Sequence, residues 1–210
     1  MIITRATISP KPTALAEVQD LIVEWVGRWN AKGQRTVATK DIWGANGAKF
    51  HIASFHDSVG DADDSRRANL ASDDFMNAAQ KLNTLVSAPT GWAISEQLIA
   101  PAQPSVTGYA LRVGISPAPG KIMEMQQVAS DWANYLNSID VSCGMTMQIW
   151  GHNGTTFAHR LPHANLGEAD DSRKRVQADP EYKKFIDKLI PTMAGPSRWG
   201  IQEIIAGPAE

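Results

Sequence analysis

Hydrophobic and polar residues alternate over residues 2–9, which is typical of a β-strand with one buried face. The residues on that face are Ile2, Thr4, Ala6 and Ile8. Over residues 13–30 the apolar spacing becomes that of a helix with a single apolar stripe. The stripe contains Leu15, Val18, Ile22, Trp25, Val26 and Trp29. The pattern therefore predicts a strand followed by a helix that packs through this stripe.

The next segments predict a hairpin, a helix and a final strand. Residues 36–43 and 48–56 flank a turn at Gly44–Gly47, whose Asn-Gly pair tolerates the positive φ of a tight hairpin. Residues 60–71 are polar and fit either a short helix or an ordered loop. A second long helix begins near Ser72, and residues 91–99 form the last strand. The order is β-α-β-β-α-β, that of a ferredoxin-like unit.

The whole pattern occurs twice. A shift of 107 positions aligns the halves without a gap, and roughly 30 of about 100 aligned pairs are identical. Examples are Ile42-Trp43-Gly44-x-Asn46-Gly47 with Ile149-Trp150-Gly151-x-Asn153-Gly154, and Trp92-x-Ile94-x-Glu96 with Trp199-x-Ile201-x-Glu203. We therefore predict one repeat over 1–99, a linker over 100–107 and a second repeat over 108–210.

A single repeat of this kind leaves one face of its sheet uncovered. If that face is apolar it must be buried, so the two sheets are expected to cover one another around a pseudo-twofold axis. The predicted fold class is α+β, with two ferredoxin-like repeats packed sheet to sheet as an intramolecular barrel.

Composition narrows the range of partners. The 210 residues carry a net charge of −2, and no run of Lys and Arg marks a nucleic-acid or anionic-membrane surface. Cys143 is the only cysteine, which excludes an intramolecular disulfide, and we expect it to be a small buried side chain. The N-terminus shows no signal-peptide pattern and no apolar run has the length of a membrane span. These features favour a cytoplasmic protein.

The element order and the duplication resemble those of the dimeric α+β barrel superfamily, in tandem form. Asp179-Pro180-Glu181-Tyr182-x-x-Phe185 is similar to the start of the second helix in many members. The resemblance implies a binding cleft, and it allows a homodimer of the tandem barrel. The superfamily includes cofactor-free monooxygenases and haem-degrading, dehalogenating and lactone-forming enzymes. The Asn, Trp and His trio of the haem-degrading members is not recognisable here, which counts against that activity.

His56 and His163 form the only histidine pair shared by both repeats, each at the end of a third strand. They are candidate acid/base residues, because imidazole titrates near neutral pH; the alternative is a structural bond to nearby backbone. His159 shares a strand face with His163, but the first repeat has Ile52 at that position, so no metal site is predicted. His51 faces the opposite side of its strand from His56.

The densest polar identity is Asp63-Asp64-Ser65-Arg66, repeated as Asp170-Asp171-Ser172-Arg173. In a functional interpretation, Asp64 and Asp171 orient the histidines, and Arg66 and Arg173 bind an anionic substrate group. In a structural interpretation, the same residues cap a short helix and form local ion pairs.

Arg5 and Arg112 have the strand parity that points between the two sheets. A charge there needs a partner, and Glu96 and Glu203 on the neighbouring last strands are the duplicated acids that could supply one. Both an interior salt bridge and a polar substrate anchor fit this position. Trp43 and Trp150 are a further duplicated pair, suited to hairpin packing or to an aromatic wall of a cavity.

Two functions follow. The first is a cofactor-independent enzyme, of monooxygenase or isomerase/cyclase type, acting on a small, partly apolar molecule. No phosphate-binding Gly-rich loop or paired-cysteine motif indicates a cofactor. The second is a non-catalytic module for small-ligand binding or assembly, in which the duplicated polar residues serve caps, turns and interior pairs.

Overall fold

A computed structural model describes residues 1–44, 48–103, 108–151 and 154–208. In the first half, a 3₁₀ turn at Pro12–Ala14 leads into the first helix. The elements are β1 (Ile2–Ile8), α1 (Leu15–Ala31), β2 (Arg35–Gly44), β3 (Phe50–His56), α2 (Val59–Leu70), α3 (Asp73–Leu85) and β4 (Gly91–Ile99).

The second half repeats this order, with a 3₁₀ turn at Ile190–Thr192 after its last helix. Its elements are β5 (Tyr109–Ile115), α4 (Ile122–Ser138), β6 (Gly144–Gly151), β7 (Phe157–His163), α5 (Leu166–Ala178), α6 (Pro180–Leu189) and β8 (Arg198–Ala206). The predicted turns at 45–47 and 152–153 and the linker positions 104–107 lie outside the described residues. The division into repeats at 99 and 108 stays a prediction.

The eight strands close into one barrel, in the order β1-β3-β2-β8-β5-β7-β6-β4. Each half contributes four neighbouring strands in ferredoxin-like order, and β2–β8 and β4–β6 join the halves by antiparallel pairing. The predicted fold class is confirmed. The sequence suggested two sheets that face each other, and the structure adds that their edges are hydrogen-bonded. Closure leaves no unpaired edge strand, which removes a site of aggregation.

The helices cover the outside of the barrel and enclose one apolar core per half. Trp25 on α1 and its counterpart Trp132 on α4 are both buried in these cores, as the stripe pattern predicts. Trp132 stacks on Phe185 with ring centroids 4.5 Å apart. Phe50 and Phe157 are the matching buried aromatics on β3 and β7. The second of these cores adjoins the barrel cavity at Ile115 and Phe157.

Local sequence explains the polar segment after each third strand. Ser58 and Asp61 form a reciprocal capping box, which satisfies the first N–H groups of α2. Asn165 caps α5 in the same way by accepting from Glu168 N. Residues 60–71, which the sequence left open between helix and loop, thus form most of a capped helix. Asp179 accepts from Glu181 N and begins α6, as its Asp-Pro-Glu pattern predicts.

Cys143 is fully buried in the core of the second half. Burial raises the pKa of its thiol to about 12, so it is uncharged at neutral pH. In the part of the chain that the structure describes, no helix combines the length and apolar character needed to cross a membrane.

The burial of His159 predicts that the fold loses stability at acidic pH. His159 is 4% exposed, and its Nε2–H donates to Ala129 O at 2.9 Å. Burial lowers its pKa below 6.5, although the backbone bond opposes this. The unfolded chain therefore binds the proton first as the pH falls through 6.5, and stability present above that pH is lost below it.

The first repeat supplies the matched variant, because Ile52 occupies the equivalent position. His159→Ile should show a smaller drop in the free energy of unfolding between pH 7 and pH 5 than the wild type, measured by urea denaturation. Part of the drop in the free energy of unfolding should remain in the variant, because His51 and His163 are also buried with lowered pKa values. An equal drop in both proteins would show that His159 does not contribute.

Candidate functional site

The barrel encloses a cavity of about 920 Å³ that opens to solvent. The polar side chains that matter for its chemistry are Arg5, Thr7, Asp41, His51, Arg112 and Gln202. The lining combines inward-facing residues of the strands with residues 194–197, which precede β8. A cavity of this size holds a small organic molecule.

Strand register places these side chains on the inner face. Thr7 lies directly opposite His51 in the β1–β3 pair, and Arg5 lies opposite Ala53 two residues away. Asp41 lies opposite Gln202 in the β2–β8 pair, so one side chain comes from each half. Residues that are directly opposite in antiparallel strands share a face, and alternate residues share it along a strand. The site is therefore a consequence of barrel closure between β2 and β8.

A chain of hydrogen bonds connects these residues. His51 Nε2–H donates to Asp41 Oδ1 at 3.1 Å, and Gln202 Nε2 donates to the same oxygen at 2.9 Å. An ionised carboxylate only accepts, so it fixes the His51 proton on Nε2 and leaves Nδ1 with its lone pair. Thr7 Oγ1 lies 3.1 Å from Nδ1, where its hydroxyl donates. The arrangement is an oriented imidazole with a basic nitrogen.

The electrostatic surroundings keep His51 neutral. Burial lowers its pKa below the usual value, and the positive charges of Arg5 and Arg112 lower it further, against the opposing effect of Asp41. The pKa of Asp41 is lowered because its bonds with His51 and Gln202 outweigh the effect of burial. At neutral pH, His51 is thus an unprotonated base held by an ionised carboxylate.

Three arginines point into the barrel. Arg112 and Arg160 lie directly opposite each other in the β5–β7 pair, on the inner face. Arg5 enters from β1, which is four strands from β5 and three strands from β7 around the barrel. The Arg112 Nε and Arg160 Nη2 atoms are buried without a hydrogen-bond partner. Like charges at directly opposite positions are destabilising, so this arrangement has a cost in the absence of a ligand.

The glutamates predicted to pair with these arginines do not do so. Glu96 lies opposite Ile2 on the outer face, whereas Arg5 lies opposite Ala93. Glu203 lies opposite Tyr109, whereas Arg112 lies opposite Gly200. A separation of three residues along a strand reverses the face, which prevents both pairs. The only inward carboxylate whose charge acts on Arg112 among the described residues is Asp41.

His56 and His163 lie on the helix-facing side of the sheet. His56 lies opposite Ile2, and its Nε2 is 3.1 Å from Thr4 Oγ1. His163 lies opposite Tyr109, and its Nε2 is buried without a partner. Burial lowers the pKa of both imidazoles. Neither lines the barrel cavity, and their predicted catalytic role stays a prediction that this placement does not favour.

The duplicated Asp-Asp-Ser-Arg segments lie on the exposed surfaces of α2 and α5. Arg66 pairs with Asp63 at 2.8 Å, and Arg173 pairs with Asp170 at 2.7 Å, both within one helical turn. Asp64 and Asp171 are exposed. None of these residues lines the barrel cavity, although Ser172 and Arg173 border a separate small apolar pocket beside His159. The ion pairs correspond to the structural interpretation, but the helix caps are Ser58 and Asn165, outside these segments.

Of the duplicated tryptophans Trp43 and Trp150, the first lines the cavity and the second does not. Trp43 is 72% exposed at the cavity mouth, next to a bulge at which β2 shifts register against β8. Trp150 is also exposed but does not line the cavity. Trp92 and Trp199 add two further indoles to the lining. The cavity thus combines cationic groups in its interior with aromatic surface at its wall.

The search for duplicated residues missed Asp41, His51, Gln202 and Arg160. Their equivalents in the other repeat are Gln148, Ala158, Ser95 and Ala53. The sequence pattern that points to these residues is the alternation of side chains along each strand. By that pattern His51 faces the opposite side from His56, and Arg5 faces between the sheets. Within the described residues, no three His, Cys, Asp or Glu side chains lie close enough together to hold a metal ion.

Comparison with solved structures identifies the architecture. A proposed monooxygenase from Fusobacterium nucleatum aligns with a TM-score of 0.74 at 9% identity, over 99% of this chain and 95% of that one. The chain has the dimeric α+β barrel fold. An anthrone oxidase-like protein aligns with this barrel at a TM-score of 0.71 and 9% identity, over 97% and 90% of the two chains. A proposed monooxygenase from Lactobacillus acidophilus gives 0.68 and 9%, over 98% and 97%.

No protein-family profile matches the sequence, and no curated protein matches it at a significant level. At 9% identity the structural matches establish the barrel fold alone. The function must therefore be inferred from the cavity of this barrel.

Proposed function

We propose that the barrel is a cofactor-independent enzyme of monooxygenase type in which His51 is the general base. Its substrate is a small, partly apolar molecule with an acidic C–H or O–H group. The observation that carries this proposal is the Thr7–His51–Asp41 hydrogen-bond chain on the wall of a cavity. An imidazole that is oriented by a carboxylate and has an unprotonated second nitrogen is suited to proton abstraction.

In the proposed step, His51 Nδ1 takes the substrate proton, either directly or through the Thr7 hydroxyl. Asp41 stabilises the imidazolium that forms, because its Oδ1 accepts the Nε2–H bond. Gln202 holds the carboxylate in position through its bond to the same oxygen. Thr7, His51 and Asp41 come from three neighbouring strands, so their geometry is fixed by the sheet.

The deprotonated substrate carries an enolate oxygen, and the barrel has groups that stabilise it. Arg5 and Arg112 line the same cavity. Cationic groups placed where negative charge develops lower the barrier to the reaction. The electron-rich carbanion then reacts with O₂, whose two oxygen atoms end as the product carbonyl and as water.

The comparisons support this choice at the level of fold analogy. Two of the matched structures are described as proposed monooxygenases and one as anthrone oxidase-like. An anthrone has an acidic methylene between two aromatic rings, which is the type of C–H bond that a single histidine can ionise. Oxidation of an anthrone by one O₂ gives one anthraquinone and one water.

The test uses 1,8-dihydroxyanthrone, with O₂ uptake and quinone absorbance as readouts. Wild-type protein should accelerate both in equal amounts. His51→Gln should reduce turnover by about 10²- to 10⁴-fold, the usual contribution of a general base. His56→Gln, on the outer face, is the matched control and should stay close to wild type.

The assignment of His51 as the general base would be contradicted if His56→Gln or His163→Gln lost turnover while His51→Gln kept it. The catalytic residue would then be one of the duplicated histidines. No acceleration by the wild type would contradict the proposed oxidation of this substrate type.

A further inference from the structure

The barrel interior contains more positive charge than its own residues neutralise. Arg5, Arg112 and Arg160 all face inward; the charges of Arg112 and Arg160 lower the pKa of Arg5, and that of Arg112 lowers the pKa of Arg160. Among the described residues, none of the three forms an ion pair with a carboxylate, and the inward carboxylate of Asp41 is hydrogen-bonded to the neutral His51 instead. Asp41 Oδ1 already accepts from His51 and Gln202.

The protein's own residues do not compensate these charges. Burial and the charges of Arg112 and Arg160 lower the pKa of Arg5 to about 9, which shows how poorly its charge is compensated. Arg112 Nε and Arg160 Nη2 have no acceptor although both atoms are buried. Buried donors are normally satisfied, and buried charges are normally paired. A group that enters from outside would satisfy both requirements.

The sum of charges indicates the ligand. Among the inward-facing buried groups, the guanidiniums of Arg5, Arg112 and Arg160 and the carboxylate of Asp41 leave two positive charges without compensation. Lys49 and Arg198 add further positive charge to the lining of the cavity. We infer that the barrel binds a small molecule bearing a dianionic oxyanion group, a phosphate or a pair of carboxylates, between Arg5, Arg112 and Arg160. Guanidinium groups suit this role because they offer paired N–H donors to planar or tetrahedral oxyanions.

The difference between the two repeats indicates how such a ligand would be oriented. Arg5 and Arg112 are equivalent, but Arg160 has Ala53 as its counterpart, so the β5–β7 wall carries the extra charge. His51 lies on β3, on the other side of the pseudo-twofold axis. A dianionic group held at the β5–β7 wall leaves the rest of the molecule directed towards His51, with Trp43 and Trp199 offering aromatic surface.

This inference rests on the proposed function and adds to its substrate a dianionic group, which the test compound 1,8-dihydroxyanthrone lacks. Its own test measures binding without turnover. Isothermal titration calorimetry at pH 8 and constant ionic strength compares phthalate, inorganic phosphate and benzoate. We expect the two dianions to bind about tenfold or more tightly than the monoanion benzoate. Tighter binding of phthalate indicates an aromatic dicarboxylate, and tighter binding of phosphate indicates a phosphorylated ligand.

Arg112→Met and Arg160→Met should each weaken phthalate binding by about tenfold or more. Methionine keeps much of the length of the arginine side chain but has neither its charge nor its N–H donors. Arg66→Met, on the exposed surface of α2, is the matched control and should bind as wild type does. Arg160→Lys keeps the charge and should bind more tightly than Arg160→Met. Equal binding of benzoate and phthalate, or unchanged binding in both interior methionine variants, would overturn the inference.

A second measurement separates a binding site from a structural role. Without added anion, Arg160→Met should melt at a higher temperature than the wild type, since a repelled and unsatisfied charge has been removed. Phthalate should raise the melting temperature of the wild type but not that of the variant. A folding defect in Arg160→Met would contradict the inference. His51→Gln should still bind phthalate, so phthalate binding by a wild type that does not turn over 1,8-dihydroxyanthrone would count against the His51 chemistry alone.

Discussion

Asp41→Asn is expected to lower turnover of 1,8-dihydroxyanthrone by about 10²- to 10³-fold, within the usual range for loss of general-base assistance. The asparagine oxygen can still accept from His51 and Gln202, so the histidine keeps its orientation. The negative charge that stabilises the imidazolium is lost, while Arg5 and Arg112 still lower the pKa of His51. The base becomes weaker, and the acid limb of the pH–rate profile should move to lower pH.

The same variant should bind phthalate more tightly, because one negative charge has left a cavity that favours dianions. Slower turnover combined with tighter anion binding is a signature that general destabilisation does not produce. Asp64→Asn, on the exposed face of α2, is the matched control and should change neither quantity. A weaker phthalate complex in Asp41→Asn would contradict the proposed charge balance.

Phe50→Ala and Phe157→Ala should each reduce the free energy of unfolding by about 3–5 kcal/mol, the usual loss for truncating a buried phenylalanine. The two side chains are equivalent in the repeats and are 0% and 1% exposed. Each should also unfold the whole barrel in one transition. Strand pairs β2–β8 and β4–β6 join the halves, so unfolding one half would expose two strand edges of the other.

Urea denaturation followed by far-UV and tryptophan signals measures both effects. Trp150→Ala removes an aromatic side chain that is 62% exposed, and it should cost much less than either core variant. If Phe157→Ala gave two separate transitions, the halves would fold independently, and the closed barrel would not be the cooperative unit.

The architecture could be predicted because each element has its own local signal, and the repeat supplies the signal twice. The Trp25 and Trp132 stripes, the Asp179 cap and the strand parity of Arg5 all depend on residues near in sequence. What local patterns do not contain is the register between strands. The predicted partner Glu96 is on the correct strand, but it lies on the opposite face from Arg5.

The site was harder to predict for a different physical reason. Identity between repeats marks residues that each half uses for itself, such as the buried Trp25 and Trp132 and the surface pairs Asp63–Arg66 and Asp170–Arg173. A shared cavity needs its base only once, and His51 has Ala158 as its counterpart. Asp41 and Gln202 meet only because β2 pairs with β8, across 161 positions of sequence. Residues that differ between the repeats on the inner face were therefore the better guide.

The central claim is that ligands enter the barrel interior and meet His51. Histidine-selective ¹⁵N NMR during a titration with phthalate tests it directly. The account predicts that the imidazole signals of His51 shift on binding, while those of His56 and His163 on the outer face keep their positions. Shifts confined to His56 or His163, with His51 unchanged, would contradict it.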